Sequence, residues 1–376
     1  MLTLLCAVAF LYPYVLYPLV LRRLPRLDQD TTGAHEKSAV PSAALLMCAY
    51  NEEASLPGKI ENLRRMKKEC PELQIFAYSD CSSDNTNALL EGASDILTPV
   101  LGTERAGKVR GMYHLIGLTD ADVAVFTDAN VMVDEGSITN LLERFRDPNI
   151  GAVAATLIYE DKDDGEQSAT SDVGGAYWKL EEHIKELESS SGSMMGADGA
   201  FFARRRAGYP QIPADLVDDM AVSIGVLFDG QRCVSAHDVI GREHSVTHRG
   251  EEFKRKRRIA CGSYSTYRYL KPSLKKLSRL DRFKFLSHKL MRWWGGAFLT
   301  LGIIAFLGAA ASAGFGLAGV GIVAAGGGLV IGLGHLNVAP FGAVYEVLLA
   351  VLATGLGVIE SLKGASYATW EPAKTR

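Results

Sequence analysis

Close cysteine pairs are missing from this chain of 376 residues: its six cysteines, Cys6, Cys48, Cys70, Cys81, Cys233 and Cys261, are scattered. Their spacing excludes a secreted disulfide framework and a cysteine-ligated metal site, and it fits reduced thiols in a cytosolic domain. Charge is missing from two regions. Residues 1–21 carry none, and beyond Trp293 acidic and basic side chains are scarce among Gly, Ala, Leu, Val and Ile. Crossing a bilayer takes about 20 apolar residues. The N-terminal run lacks the basic n-region and small-residue cleavage pattern of a removable signal, so it reads as a retained anchor. Arg22, Arg23 and Arg26 follow it, and the positive-inside rule then puts the N-terminus outside and the polar middle of the chain in the cytoplasm. No internal repeat is present. No Gly-rich triphosphate loop stands near the first strand, where Tyr50-Asn51-Glu52-Glu53 is found instead, and this argues against a nucleotidyltransferase.

What is present is alternation. Apolar runs at 43–48, 73–78, 96–100, 123–126, 152–158, 201–204 and 232–236 read as strands. Helical spacing predicts helices at 55–68, 85–91, 106–118, 137–145, 172–188 and 216–227. Strands alternating with helices predict an α/β fold with a largely parallel sheet. The net charge of −3 conceals an acidic stretch at 159–188 and a basic one at 253–292. The basic stretch abuts the apolar C-terminal region and suits anionic lipid headgroups. That region holds three candidate spans, 296–311, 315–336 and 341–360. Three crossings would leave the tail outside, whereas Lys363, Lys374 and Arg376 favour inside; a re-entrant or interfacial piece reverses the parity. Trp293, Trp294 and Trp370 sit where aromatic belts are expected.

Three acidic marks punctuate the chain: Ser79-Asp80-Cys81-Ser82-Ser83-Asp84, Thr127-Asp128-Ala129-Asn130 and Val217-Asp218-Asp219. The first two directly follow strand runs. In an open α/β sheet the ligand crevice lies outside the carboxyl ends of the strands, so carboxylates there converge although distant in sequence. A charged nucleotide with a divalent metal suits such a pocket. Asp84 reads as an N-cap of the helix at 85–91. Asp218 and Asp219 open an apolar helix, where capping alone would also explain them. His237, His244 and His248 fit no strong ligand spacing.

Together Cys48-Ala49-Tyr50-Asn51-Glu52-Glu53, Ser79 to Thr86, Gly107-Lys108, Thr127-Asp128-Ala129-Asn130, Gly196-Ala197-Asp198-Gly199-Ala200 and Val217-Asp218-Asp219 resemble, in order, the motifs of the family 2 glycosyltransferases. The resemblance spans roughly residues 43–262. It is closest to the membrane branch with the chitin, hyaluronan, cellulose and poly-N-acetylglucosamine synthases and the ceramide glucosyltransferases. It implies a GT-A fold (Rossmann-like, mostly parallel) in a cytoplasmic domain with N- and C-terminal transmembrane helices. It also implies a nucleotide-sugar donor, UDP-linked in this branch, a divalent cation (Mg²⁺ or Mn²⁺) and inversion at the anomeric carbon. The expected division is a transmembrane helix at 1–22, a linker at 23–42, the GT-A domain at 43–250 and basic interfacial helices at 251–294. Two to three transmembrane helices at 295–361 and a tail at 362–376 complete it. The expected place is a bacterial inner membrane, with membrane lipids as partners and no nucleic acid.

Carried over residue by residue, the resemblance makes Asp219 the base that takes the acceptor's proton. Asp128 becomes the metal ligand, with Asn130 offering a neutral oxygen where the family's Asp-x-Asp has a carboxylate. Asp80 reads the nucleoside with Asn51 and Glu52 as companions, Lys108 approaches the diphosphate, and Arg255 and Arg258 clamp it. Asp198 and Asp218 lie by the acceptor. The family's Gln/Arg-x-x-Arg-Trp is here Arg255-Lys256-Arg257-Arg258-Ile259, without its tryptophan. A growing polysaccharide and a membrane lipid are therefore both open as acceptors. A scaffold that has lost the reaction is a competing reading of another class, and Asp80, Asp128 and Asp219 argue against it.

Overall fold

Proline interrupts the N-terminal apolar run, and the single anchor helix expected over residues 1–22 is instead two short ones, α1 (Leu2–Leu11) and α2 (Leu16–Leu21). Pro13 has no N–H to give to the preceding turn, so the helix stops before it. The computed structural model describes residues 1–27, 39–160, 169–244, 249–312, 316–336, 338, 340–367 and 369. Most of the expected linker (28–38), His248, Trp370, Lys374 and Arg376 lie outside the described residues.

The sheet starts with β1 (Ala43–Ala49), buried at every position. Its alternate residues feed two cores: Leu45 and Met47 on one face, Leu46 and Cys48 on the other. α3 (Leu56–Glu69) covers the first face, with Leu56, Lys59, Leu63 and Met66 inward at helical spacing and Pro57 in its first turn. β2 (Gln74–Ser79), α4 (Thr86–Glu91) and β3 (Thr98–Leu101) follow. α5 (Lys108–Ile116) covers the second face with Met112, Leu115 and Ile116. Next come β4 (Val123–Asp128), β5 (Met132–Val133), α6 (Ser137–Arg144), β6 (Ile150–Glu160) and α7 (Ala169–Ser190). β7 (Phe201–Arg205), α8 (Asp218–Phe228) and β8 (Arg232–His244) complete an eight-stranded sheet of order β3-β2-β1-β4-β7-β6-β8-β5. β7 runs antiparallel to β4 and β6, and β5 antiparallel to β8; the other pairs are parallel.

β8 is longer than its sequence pattern suggested. A register shift, in which Ala155 faces Ala236 but Thr156 faces Ile240, inserts a bulge at 237–239 and breaks the alternation that defines a strand in sequence. The basic stretch forms α9 (Arg249–Leu270) and α10 (Arg279–Phe285), followed by a π turn at Leu286–Leu290 and a last turn at Met291–Trp293. The apolar region forms α11 (Gly295–Ala310), α12 (Gly316–His335) and α13 (Phe341–Leu362), matching the three candidate spans. Among the described residues α12 and α13 are each long and apolar enough to cross a membrane; α10 to Trp293 and α11 together make a third only as a pair bent by 59°. Trp293 is a core residue rather than a belt residue: it is buried against Tyr264, Tyr267 and Phe285, whereas Trp294 is exposed.

A buried ionic cluster fastens α2, α7 and the π turn together. The Tyr17 hydroxyl donates to Glu188, and His288 lies between two carboxylates, 2.9 Å from Glu181 Oε1 and 2.9 Å from Glu188 Oε1. Arg292 pairs with the other oxygen of Glu181. Burial alone would raise the Glu181 carboxyl, but Arg292 and His288 outweigh it and hold it well below the usual carboxylate range. His288→Leu leaves both carboxylates without their shared donor, and removing one member of a buried pair costs about 3–5 kcal/mol. A lowered denaturation midpoint of the detergent-solubilised variant is the expected result; an unchanged midpoint rejects the cluster as a fastener.

Candidate active site

Register gathers the site. Cys48 on β1 lies beside Asp128 on β4, and Ala49 lies beside Ser79 on β2, so the segments that follow all three strands leave the sheet at one edge. β7 runs the other way with Phe201 opposite Thr127, which brings Asp198 and Gly199 to the same edge from the opposite direction. Asp218 and Asp219 enter in the first turn of α8, whose preceding Val217 N–H donates to Thr266 Oγ1 on α9 at 3.0 Å.

Lys108 occupies the centre. Its Nζ donates to Asp128 Oδ1 at 2.7 Å and to the Gly199 carbonyl at 3.1 Å. Burial would drive its proton off, but Asp128, Asp218 and Asp219 outweigh burial and hold the ammonium above its ordinary value. Asp219 behaves in the opposite sense. Burial and the neighbouring Asp218 push its carboxyl up to about 7, against the pull of Lys108. One Asp219 oxygen accepts from the Met220 N–H, and the other lies so near Gly199 that a Cβ there would stand 2.7 Å away. Asp198 pairs with Lys185, which also donates to Glu182 at 2.7 Å.

A second network lies at the ends of β1 and β2. Asp80, expected to face a nucleoside, is fully buried and accepts from Arg105 Nε at 3.1 Å, the Ala106 N–H at 2.7 Å and the Gly107 N–H at 3.1 Å. The Arg105 guanidinium sits 3.2 Å from the centre of the Tyr50 ring. Gly107 has φ of 83°, which only glycine adopts freely, and it turns the chain from Asp80 into α5. Asp80 thereby sets the loop that presents Lys108. Asn51, at φ 51°, accepts from the Ser83 N–H at 2.8 Å, and the Glu52 N–H donates to Thr86 Oγ1 at 2.9 Å. Asp84, expected as the N-cap, stands one residue earlier: the helix starts at Thr86 with Asn85 as its N-cap, and the Asp84 carboxylate accepts from the Thr86 N–H at 3.0 Å.

Asn130 and Arg255 fall on another side. Asn130 is buried and donates its amide to Glu243 Oε1 at 3.0 Å. Arg255 pairs with Glu252 at 3.4 Å and lies beside Tyr159 and Glu243, lining a cavity of about 900 Å³ with Trp178, Glu182 and His237. Arg258 is partly buried one turn further along α9. Among the described residues no group of three or more His, Cys, Asp or Glu converges as a ready cation cage. Among the described residues at this edge, Asp128, which accepts from Lys108, is a carboxylate that could hold a cation. That suits an ion of the Mg²⁺ type, which takes one or two carboxylates and completes its shell with substrate phosphates and water.

Two residues of the site had gone unread. Lys59 is fully buried on α3 and donates to Thr127 Oγ1 at 2.9 Å and to the Val131 carbonyl at 2.5 Å, pinning both ends of the Asp128 turn. Burial lowers its ammonium to about 7, with Asp128 opposing. The signal was a lysine at an apolar position of the helix stripe. Lys185, the partner of Asp198, is likewise buried and sits within the acidic stretch at 159–188.

Residues 44–212 match the family described as Glycosyl transferase family 2. The chain carries a family 2 glycosyltransferase domain. The match includes Asn51 to Asp198 and stops before Asp218, Asp219, Arg255 and Arg258. An N-acetylglucosaminyltransferase of Rhizobium leguminosarum bv. trifolii is 22% identical over 151 residues, 39% of this chain and 83% of that protein. Among solved structures the chain resembles the mannosyltransferase PcManGT from Pyrobaculum calidifontis in complex with GDP-Man and Mn²⁺, with a TM-score of 0.69 at 18% identity. That likeness covers 96% of this chain and 98% of the other, and it makes the fold GT-A.

Within the glycosyltransferase domain Gly199 leaves no room for a side chain beside Asp219. Gly199→Ala displaces the carboxylate, and a misplacement of about 1 Å costs up to about 100-fold in rate. Sugar transfer by the purified variant is expected to fall by about tenfold or more; unimpaired transfer shows that the packing of Gly199 against Asp219 is not needed.

Proposed function

We propose that the protein is a membrane-integrated, inverting hexosyltransferase that moves a sugar from a nucleoside diphosphate donor to a hydroxyl acceptor at the membrane face. The observation that carries this is Asp219, a carboxyl pushed to about 7 and placed beside the Lys108–Asp128 pair. A base poised near neutral pH takes a proton most effectively. Inversion needs a single displacement, in which the acceptor oxygen bonds to the anomeric carbon, its proton passes to Asp219, and the nucleoside diphosphate leaves with the bond electrons. Lys108 lies where the departing diphosphate gathers charge. Asp128 would hold a divalent cation, which when bound would supply further positive charge there. Asn130 steadies this turn through Glu243 rather than supplying a strong ligand.

The neighbour bound to GDP-Man and the N-acetylglucosaminyltransferase relative differ in sugar, and both support a nucleotide-sugar donor. On the donor side we place Asn51, Glu52 and Asp80, the last through Arg105, whose guanidinium on Tyr50 offers a stacked cation to the nucleotide. Arg258 completes the diphosphate side, reaching in from α9. Asp198 and Asp218 border the acceptor. For the acceptor, the cavity favours a saccharide end. The Tyr159 and Trp178 rings lie 4.8 Å apart in its wall, among the Arg255 guanidinium and carboxylates, and hydroxyl-rich rings are recognised by such surfaces. Glu182 links that wall through Lys185 to Asp198. The lipid-facing helices fit either a polysaccharide or a lipid-linked sugar.

Labelled UDP- and GDP-sugars offered to membranes with Mg²⁺ or Mn²⁺ test the activity, and sizing the product separates a ladder from a single lipid-soluble band. Transfer should rise as pH is raised through about 7, because Asp219 must lose its proton to act. Asp219→Asn should abolish transfer and spare donor binding. A carboxyl whose folded value exceeds its unfolded one favours the folded state below its titration and disfavours it above. Asp219→Asn is therefore expected to melt at a higher temperature than the parent at pH 8. Full turnover by this variant removes the base assignment, and failure of every donor removes the enzyme reading.

A further inference from the structure

By length and composition α13 looks like a membrane span. We infer that it lies along the membrane surface instead, between the catalytic domain and the lipid headgroups, so that α11 and α12 are the two C-terminal crossings. The inference rests on the membrane reading above and fixes how one segment sits within it.

Its support is the company α13 keeps. α9, with seven basic residues, runs parallel to α13 over most of its length. Near the start of α13, Arg249 Nε lies 2.5 Å from Glu346 Oε1. Further along, Arg257 pairs with Glu360 at 3.3 Å, and Gly357 lies directly against the α9 backbone at Arg257 and Cys261. At the far end the Ser265 and Ser361 hydroxyls are 2.7 Å apart, and Arg268 donates to the Ser361 carbonyl at 2.8 Å.

α9 in turn belongs to the catalytic domain. Thr266 takes the Val217 N–H at the start of the Asp219 helix, and Arg255 lies beside Tyr159 and Glu243. Polar contacts from one water-facing helix thus hold both ends of α13, at Glu346 and at Ser361, which are 15 residues or about 22 Å apart. If α13 crossed the bilayer, one end of α9 would be drawn through hydrocarbon with its arginines, which is costly.

The neighbouring helices agree. α11 meets α13 at mid-length, where a Cβ on Gly296 would stand 3.6 Å from the Val351 carbonyl oxygen and 3.8 Å from Gly355 Cα. It then pairs with α1, Gly302 facing Cys6 and Gly295 facing Phe10. α12 is 6% buried over its apolar window, as a helix bathed in lipid is, whereas α13 is 28% buried. The outward face of α13, with Val344, Leu352 and Ile359 about half-exposed, remains for the acyl boundary, while the lysines and arginines of α9 suit anionic headgroups.

Spin labels on the full chain in vesicles of phosphatidylcholine and phosphatidylglycerol test this by depth. Cysteines replace Val344, Leu352 and Ile359 one at a time, with Ile304 on α11 and Ile322 on α12 as references and with Cys70 and Cys81 changed to serine. The three α13 labels are expected at one shallow depth and both references deep. A Leu352 label near the bilayer centre, with Val344 and Ile359 shallow, overturns the inference. References that contact no lipid overturn the membrane reading, and the inference with it. A second measurement needs no buried-face substitution: Lys363→Cys and Asp120→Cys, both at exposed positions, should react with an impermeant maleimide from the same side of sealed vesicles. Reaction from opposite sides overturns the inference independently.

Discussion

One ammonium group lets this site exist. Asp128, Asp218 and Asp219 come from distant parts of the chain, and carboxylates gathered so closely repel unless a cation stands among them. Lys108 is that cation, bonded to Asp128 and to the Gly199 carbonyl. Its placement explains features that otherwise look unrelated: the buried Asp80 that grips three donors from Arg105 to Gly107, and the glycine with positive φ that starts α5. It also sets positive charge beside Asp128, while burial and Asp218 push the Asp219 carboxyl up against its pull. One lysine stands between the carboxylate at the end of β4 and the pair that opens α8.

The same economy appears where the domain meets its apolar helices. Glu181 and Glu188 on α7 are buried, and His288, Arg292 and Tyr17 reach them from three other segments. Charge inside a protein is tolerated only with partners, so these contacts join the N-terminal segment and the π turn to the catalytic domain with defined geometry. α9 does the corresponding work on the other side, where its arginines meet Glu346 and Glu360. In both places a buried or half-buried carboxylate decides which helices are neighbours.

Much of this was legible in sequence, for physical reasons. The strands of the parallel half are buried on both faces, so they read as continuous apolar runs ended by polar turns, and the chemistry sits in those turns. Asp80, Asp128, Asp198 and Asp219 could therefore be named before the sheet was known. Lys108 could be named with them, but Lys185 and Lys59 could not, because they reach the site only through tertiary packing. β8 was cut short at its bulge, and β5 is too short to leave a pattern. The N-terminal run was apolar throughout, and its composition masked the break that Pro13 imposes. Trp293 shows a similar limit: composition marks a residue as suited to an interface, but which side of its helix faces the core is settled by Tyr264, Tyr267 and Phe285.

The bond between Val217 and Thr266 joins residues 49 positions apart, and it carries a consequence for the order in which the protein is made. Seven of the eight strands and every acidic residue of the site have been made by the time Asp219 is added, and β8 follows, yet the N–H that precedes the Asp219 helix has no partner until α9 has come after them. The site therefore takes its final shape late in synthesis, when the basic helix docks. A nascent chain with a finished sheet still lacks a finished enzyme.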